Sequence, residues 1–226
     1  MSMWSQSQVI TSYLVDWQRR LSLPGLLALF QEMAWCHAEQ AGHGYSVMVA
    51  RGHGWVLARQ HLNVRRWPGW KELVDLRTWL RAPRGLLVFR DFELRSQGEL
   101  LASGVGTWMA IDLRNRQPVA PFLGCATFHP GLDFQPVRVE PFSGGEELLR
   151  ILVRHSDLDL NGHVNNLRYA AWLLDARGTA SPRSYEINFL AELGLGDEVV
   201  LERAAACYQG RRLTDGKIVF TARLPD

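Results

Sequence analysis

A helix followed by a run of antiparallel strands occurs twice in this chain, on either side of a proline-rich stretch, and that order narrows the folds open to it. In the first half Ser22 reads as a helix cap with Pro24 in the first turn. Leu26, Phe30, Met33 and His37 then fall on one face as far as Gly42. A strand over Val9 to Trp17 precedes this helix, and strands over 55–59, 60–66, 72–81, 86–95 and 100–113 follow it, with turns at Pro68-Gly69, Pro83-Arg84-Gly85 and Gln97-Gly98. Residues 114–146 read as a connector, because five of the ten prolines lie between Pro118 and Pro141 and Ser143-Gly144-Gly145 closes it. After it come a strand at Leu148 to Arg154, a helix from near Asn165 to Gly178, and strands at Ser184 to Glu192, Glu198 to Gln209 and Lys217 to Leu224. A long helix beside an antiparallel meander buries its apolar face when the sheet wraps around it. The expected class is therefore α+β.

The halves also align weakly. A shift of 137 residues sets Phe30 on Leu167, Ala34 on Ala171 and Trp35 on Trp172, and a shift of 126 sets Glu72-Leu73-Val74 on Glu198-Val199-Val200. With the shared element order this reads as an internal repeat of about 110 residues. In the first register Ser22, Pro24 and Leu26 occupy the places of Asp159, Asn161 and His163. Only the second half carries the polar set.

That set belongs to residues 155–166, which hold two acids, three amides and two imidazoles between two apolar segments. Such density is costly unless it is used. Val164, Leu167, Ala171 and Leu174 share a helical face, so the polar run leads into the helix start, where unpaired N–H groups and the dipole favour a developing oxyanion. If the lead-in is extended, Asp159, Asn161 and His163 face one way. Three other readings compete. Asp157-x-Asp159-x-Asn161-Gly162 opens like a calcium loop, but Arg168 stands where a bidentate Glu belongs. His155, Asp157, Asp159 and His163 are metal-ligand types without a paired Cys or His spacing to complete a closed site. Asp157 or Asn165 can also serve simply as a cap.

Composition sets outer bounds. With 226 residues, 47% hydrophobic and 21% charged, the chain has material for one large domain or two of ~100 residues. A net charge of +2 gives no argument for nucleic acid, although Arg65-Arg66, Arg81/Arg84 and Arg211-Arg212 could meet an acidic partner. Cys36, Cys125 and Cys207 are odd in number and far apart, which fits a reducing compartment. No apolar run approaches the ~18 residues of a membrane span, and Met1 to Gln6 lacks a signal pattern. The expectation is a cytoplasmic protein without membrane attachment.

A doubled helix-and-meander with Asp-Leu-Asp-x-Asn-x-His-Val-Asn-Asn-x-x-Tyr-x-x-Trp at residues 157–172 resembles the acyl-acyl-carrier-protein thioesterases. Leu27 through Glu39, Trp55-Val56-Leu57, Thr78-Trp79 and Trp108 to Asp112 are similar to patterns of the same family. The resemblance implies a tandem double hotdog: an N-terminal hotdog at 1–113 that binds the acyl chain, the connector, and a catalytic C-terminal hotdog at 147–226. It implies hydrolysis of fatty acyl-carrier-protein thioesters in fatty acid biosynthesis, with no cofactor and no metal. The implied partner is an acidic acyl carrier protein with its phosphopantetheine, and the chain is a monomer or homodimer. The family's functional acid, amide and imidazole correspond to Asp159, Asn161 and His163, and a further catalytic Glu, on a strand after the second helix, corresponds to Glu192. Where plant members have a cysteine after that Glu, this chain has Leu193.

Chemistry supports the same assignment of roles. Thioester hydrolysis needs an activated water and an oxyanion donor, since thiolate leaves readily. A carboxylate partly withdrawn from water makes a general base, the role expected of Glu192. Asn161 would orient the water or the carbonyl, His163 would donate or relay a hydrogen bond, and Asp159 would fix the local tautomer. The oxyanion hole falls to N–H groups at Val164, Asn165 and Asn166. Direct attack by water and an anhydride on Glu192 both remain open. An acyl-CoA thioesterase is the nearest alternative; a hotdog dehydratase and an acyl-binding module without turnover are further ones.

Overall fold

The computed structural model describes residues 3–225. Met1 and Ser2, part of the N-terminal segment considered above, and Asp226, the end of the expected C-terminal half, lie outside them. The chain forms two compact units, one ending at Pro136 and the other beginning at Val137. The division falls within the proline-rich stretch, and both units take a share of it: Pro118–Val119 pairs with a strand of the first unit, while Val139 O accepts the Thr221 hydroxyl of the second at 2.7 Å.

In the N-terminal unit β1 (Trp4–Val9), β2 (His53–Val64), β3 (Leu73–Leu80), β4 (Leu87–Ser96) and β5 (Glu99–Asp112) form an antiparallel sheet in the order β1-β3-β4-β5-β2, and β6 (Pro118–Val119) pairs with β5. Helix α1 (Leu23–Gln40) lies against it. Ser22 caps α1 by accepting the Gly25 N–H at 3.1 Å, with Pro24 in the first turn as its spacing predicts. Phe30 of α1 stacks on Phe92 of β4 at 4.7 Å, and both are buried, each contributing on the order of 2 kcal/mol by removal from water.

The first strand differs from expectation. It stops at Val9, and Ser12–Leu14 form a 3-10 turn instead. Tyr13 and Trp17, whose residue types favoured a strand, point to solvent, while the Leu14 carbonyl receives the Ser22 N–H at 2.9 Å and the Ser22 hydroxyl at 3.0 Å. The chain folds back to seat the helix start. Strands expected at 55–59 and 60–66 are one strand, β2, with an irregularity between Leu57 and Arg59. A short helix, α2 (Tyr45–Ala50), was not legible, since Met48 is its one buried side chain and leaves no period to read.

The C-terminal unit repeats the plan. Strands β7 (Glu146–Leu152), β8 (Ser184–Phe189), β9 (Glu198–Ala204), β10 (Cys207–Arg212) and β11 (Ile218–Arg223) lie antiparallel in the order β8-β11-β10-β9-β7. The strand expected over 198–209 is a hairpin that turns at Ala205, φ 52°, where an alanine run carries no turn signal. Helix α3 (Asn166–Arg177) begins where predicted and ends on Gly178 in the left-handed conformation. Tyr169 anchors it, with ring centroids 5.2 Å from Phe189 of β8 and 5.2 Å from Phe220 of β11. This packing sets the α3 N-terminus beside the end of β8.

The halves differ at the helix start. Residues 23–28 already belong to α1, whereas their counterparts at 160–165 remain a loop. Asn161 and His163 sit in a loop whose counterpart in the first half is helical.

Candidate active site

The polar run does not extend as a strand. Leu158 and Val164 bridge, and the five residues between them form a tight turn in which Asp159 N–H donates to His163 O at 2.8 Å and Gly162 N–H to Asp159 O at 3.1 Å. The Asp159 carboxylate accepts the Asn161 N–H at 2.8 Å and the His163 N–H at 3.4 Å, which makes it the brace of the turn. Gly162 holds φ at 77°, a conformation that a side chain would strain. Asp159, Asn161 and His163 therefore share an Asx-type turn rather than one face of an extended segment. Asp159 acts on the backbone of His163; the ring of His163 meets another acid.

That acid is Glu192. His163 Nε2 lies 3.5 Å from Glu192 Oε2. The Val164 N–H donates to Leu193 O at 2.9 Å, and this bond brings the two loops together one residue away from each side chain. Glu192 stands beyond the end of β8 rather than on a strand. A turn holds its loop, with Gly194 N–H donating to Asp197 Oδ2 at 2.9 Å, and Arg212 Nη1 donates to the Glu192 carbonyl at 3.3 Å. The Glu192 side chain is 44% exposed, so in the free protein it is not withdrawn from water as expected.

Asp157 ties the turn to α3. Its buried carboxylate accepts the Arg154 N–H at 2.8 Å and Arg168 Nε at 2.7 Å, and its carbonyl accepts the Asn165 N–H at 2.8 Å. Arg168, which spoiled the calcium pattern in the sequence, is thus the counter-charge of the first acid in that pattern. Asn165 caps α3 by accepting the Leu167 N–H at 3.0 Å.

These bonds correct the donor set. The Val164 and Asn165 amides are committed to Leu193 O and Asp157 O, so they serve positioning and are not open to an oxyanion. The Asn166 N–H stands at the first position of α3, where a helix offers no internal acceptor, and carries the positive end of the dipole.

Two contributors had no role in the sequence reading. Burial first, and then the charges of Glu192, Asp197 and Asp159, push the Tyr169 phenol above its ordinary range, so it keeps its proton beside the acids of the site. Arg212 was read with Arg211 as a basic patch, but it pairs with Asp215 at 2.7 Å while bracing the Glu192 loop. Arg211 likewise meets Glu202 at 2.8 Å, Arg66 meets Glu72 at 2.8 Å, and Arg81 meets Asp91 at 2.6 Å. Much of the apparent cationic surface is internal pairing.

The N-terminal-domain model of the acyl-ACP thioesterases matches residues 2–120, and the C-terminal-domain model matches residues 144–217. The chain belongs to the acyl-ACP thioesterase family. Among its relatives, the chloroplastic oleoyl-acyl carrier protein thioesterase 2 of Arabidopsis thaliana is 25% identical over 198 residues, which is 76% of this chain and 53% of the relative. The chloroplastic palmitoyl-acyl carrier protein thioesterase of Gossypium hirsutum is 27% identical over 206 residues, 83% of this chain and 50% of the relative. The chain spans about half the length of these curated relatives. An acyl-ACP thioesterase structure from Bacteroides thetaiotaomicron superposes with a TM-score of 0.89 at 21% identity, covering 98% of this chain and 96% of that one. The 12:0-ACP thioesterase of Umbellularia californica gives 0.83 at 23%, with the same coverages. These likenesses show the fold, the α+β hotdog of the acyl-ACP thioesterases, with a long helix against an antiparallel sheet in each half. The polar turn, residues 157–166, lies within the stretch matched by the C-terminal-domain model.

Proposed function

We propose that the chain hydrolyses the thioester of a fatty acyl group carried on acyl carrier protein, releasing the fatty acid and the carrier thiol. The observation that carries this reading is the 3.5 Å approach of His163 Nε2 to Glu192 Oε2 beside the start of α3. It joins a base and a hydrogen-bond donor at a point where a carbonyl oxygen can meet a helix N-terminus.

In this reading Glu192 takes a proton from water as the water oxygen bonds to the thioester carbon. Asn161, exposed at the tip of the turn, orients the water or the carbonyl. The Asn166 N–H and the α3 dipole stabilise the oxyanion. Collapse breaks the carbon–sulfur bond, and the thiolate recovers a proton from Glu192, directly or through His163. Asp159 maintains the turn that aims Asn161 and His163, and His163 keeps Glu192 placed while the site is open to water. An exposed Glu192 suits this scheme if the acyl group itself excludes solvent on binding, since desolvation then strengthens the base. With Leu193 buried after Glu192, a cysteine nucleophile has no place in the step.

The N-terminal hotdog would take the acyl chain, and three cysteines far apart in the sequence fit a reducing, cytoplasmic setting. The test is free-thiol release from a series of acyl-ACP thioesters and matched acyl-CoA thioesters, with Asn161→Ala alongside. Turnover that favours the carrier protein and falls in the variant supports the reading. Equal or better turnover of CoA thioesters would assign the chain to that carrier, and tight binding without thiol release would sink hydrolysis.

A further inference from the structure

In the N-terminal unit the segment leading into α1 and the turn before β3 are laced together. Val9 pairs with Leu73, and Arg20 bridges Gly69. Lys71 N–H donates to Ile10 O at 2.9 Å, Trp70 N–H to Arg19 O at 2.9 Å and Leu21 N–H to Pro68 O at 2.8 Å. Ile10, Leu14 and Leu21 are buried and fix the first segment to the core. Other apolar side chains of the two segments lie open: Tyr13 is 82% and Trp17 85% exposed, and Val9, Trp70 and Leu73 are exposed as well. The core contacts come from Ile10, Leu14 and Leu21, so the bulk of Tyr13 and Trp17 adds little to the fold. Five large apolar side chains exposed on two joined segments mark an interaction surface.

The charge of this surface is one-sided. Over residues 9–21 and 65–77 six basic residues stand against three acids, whereas the whole chain is nearly balanced at +2. Arg19, Arg20 and Lys71 are exposed, and among the described residues none of them pairs with a carboxylate. Lys71 Nζ sits 4.5 Å from the centre of the Trp70 ring. The acids are engaged: Asp16 accepts the Gln18 N–H at 2.9 Å and the Arg20 N–H at 3.1 Å, Glu72 accepts Arg66 Nη2 at 2.8 Å and the Gly69 N–H at 3.0 Å, and Asp75 accepts the Ser7 hydroxyl at 2.6 Å. Arg19 and Lys71 hold φ at 60° and 69°, a region that favours glycine, so local backbone geometry does not account for a long cation at either place.

We propose that this face docks the chain on the surface of an anionic phospholipid bilayer, with Tyr13 and Trp17 at the headgroup level and Arg19, Arg20 and Lys71 against the lipid phosphates. Phenol and indole join an apolar body to a polar tip, which suits the headgroup boundary, and cations beside them are drawn to anionic lipid. A bilayer is favoured over an acidic protein because the face, its carboxylates engaged, offers mainly apolar bodies and cations, whereas a protein interface is matched group by group. Such docking needs no membrane-spanning helix, and no helix among the described residues is long and apolar enough to be one. Discharge of a fatty acid into the bilayer would rest on the thioesterase reading; the docking does not.

The test is co-sedimentation of the full chain with vesicles of phosphatidylcholine alone and of phosphatidylcholine mixed with phosphatidylglycerol. The mixed vesicles are expected to bind at least about tenfold more tightly. Replacing Arg19, Arg20 and Lys71 together by Gln should weaken that binding about 100-fold, and Tyr13→Ser with Trp17→Ser at least about tenfold. The five side chains are exposed, so thermal unfolding should not change; should a variant fail to fold, the comparison of the two vesicles in the unaltered protein decides. No binding to the mixed vesicles, equal binding to both kinds, or binding that survives either set of substitutions would overturn the proposal. A KM for dodecanoyl-acyl carrier protein raised by the charge substitutions, with no vesicle binding by the unaltered chain, would overturn the bilayer and assign the face to an acidic protein. Loss of the thioesterase reading shows separately, as an absence of thiol release.

Discussion

His163 and Glu192 meet side chain to side chain because the amide next to the first donates to the carbonyl next to the second, Val164 N–H to Leu193 O at 2.9 Å. The contact is thus set by backbone, on two loops that α3 and β8 bring together. Residues that hold those loops should matter to activity without touching substrate.

Asp157 is the foremost of them. Asp157→Ala removes a buried acceptor of two hydrogen bonds and leaves Arg168 unpaired, though Arg168 is 40% exposed and can turn to water. We expect a loss of about 2 kcal/mol, read from the urea midpoint at constant slope. A double-mutant cycle with Arg168→Met should show a coupling of about 1 kcal/mol. A coupling near zero would mean that the pair adds nothing to the fold.

At Gly162 the left-handed backbone faces open space, so alanine meets strain rather than a clash. Gly162→Ala should cost about 1 kcal/mol in thermal unfolding. The turn that places Asn161 and His163 would shift with it, so kcat should fall by more than a loss of that size in overall stability explains. Unchanged kcat would show that the turn geometry is not used.

Stability should also depend on pH through His43. Its folded value is about 4 against an ordinary 6.5, so between these values the unfolded chain binds a proton that the folded chain does not. The contribution is complete above pH 6.5 and declines as pH falls to about 4, by on the order of 3 kcal/mol. Urea unfolding at intervals across this window should show the slope in the unaltered protein and its loss in His43→Gln. An identical slope in the variant would place its origin elsewhere.

How much of this was legible depended on the kind of signal. The starts of α1 and α3 could be read because capping and 3.6-residue spacing are local, as at Ser22 and Asn165. Asp159, Asn161 and His163 stood out by density and by the family motif, yet the argument that joined them was wrong. Alternation assumes an extended chain, and Gly162 with the Asp159 carboxylate makes a turn instead. Glu192 came from resemblance alone, since nothing local distinguishes an acid three residues past a strand. The pairing of Arg168 with Asp157, or of Arg212 with Asp215 and the Glu192 carbonyl, depends on which loops the fold brings together. In the sequence Arg212 reads as part of a basic patch and Arg168 only as a charge that spoils a calcium loop.

The base assignment is tested most directly by thiol release from dodecanoyl-acyl carrier protein, with the unaltered protein compared against Glu192→Gln. The glutamine keeps the size and polarity of the side chain beside His163 but cannot take a proton. We expect the folded variant to bind the substrate while kcat falls by about 10²- to 10⁴-fold. A variant that turns over at an undiminished rate would contradict the account, because the carboxylate beside His163 would then not be the group that activates water.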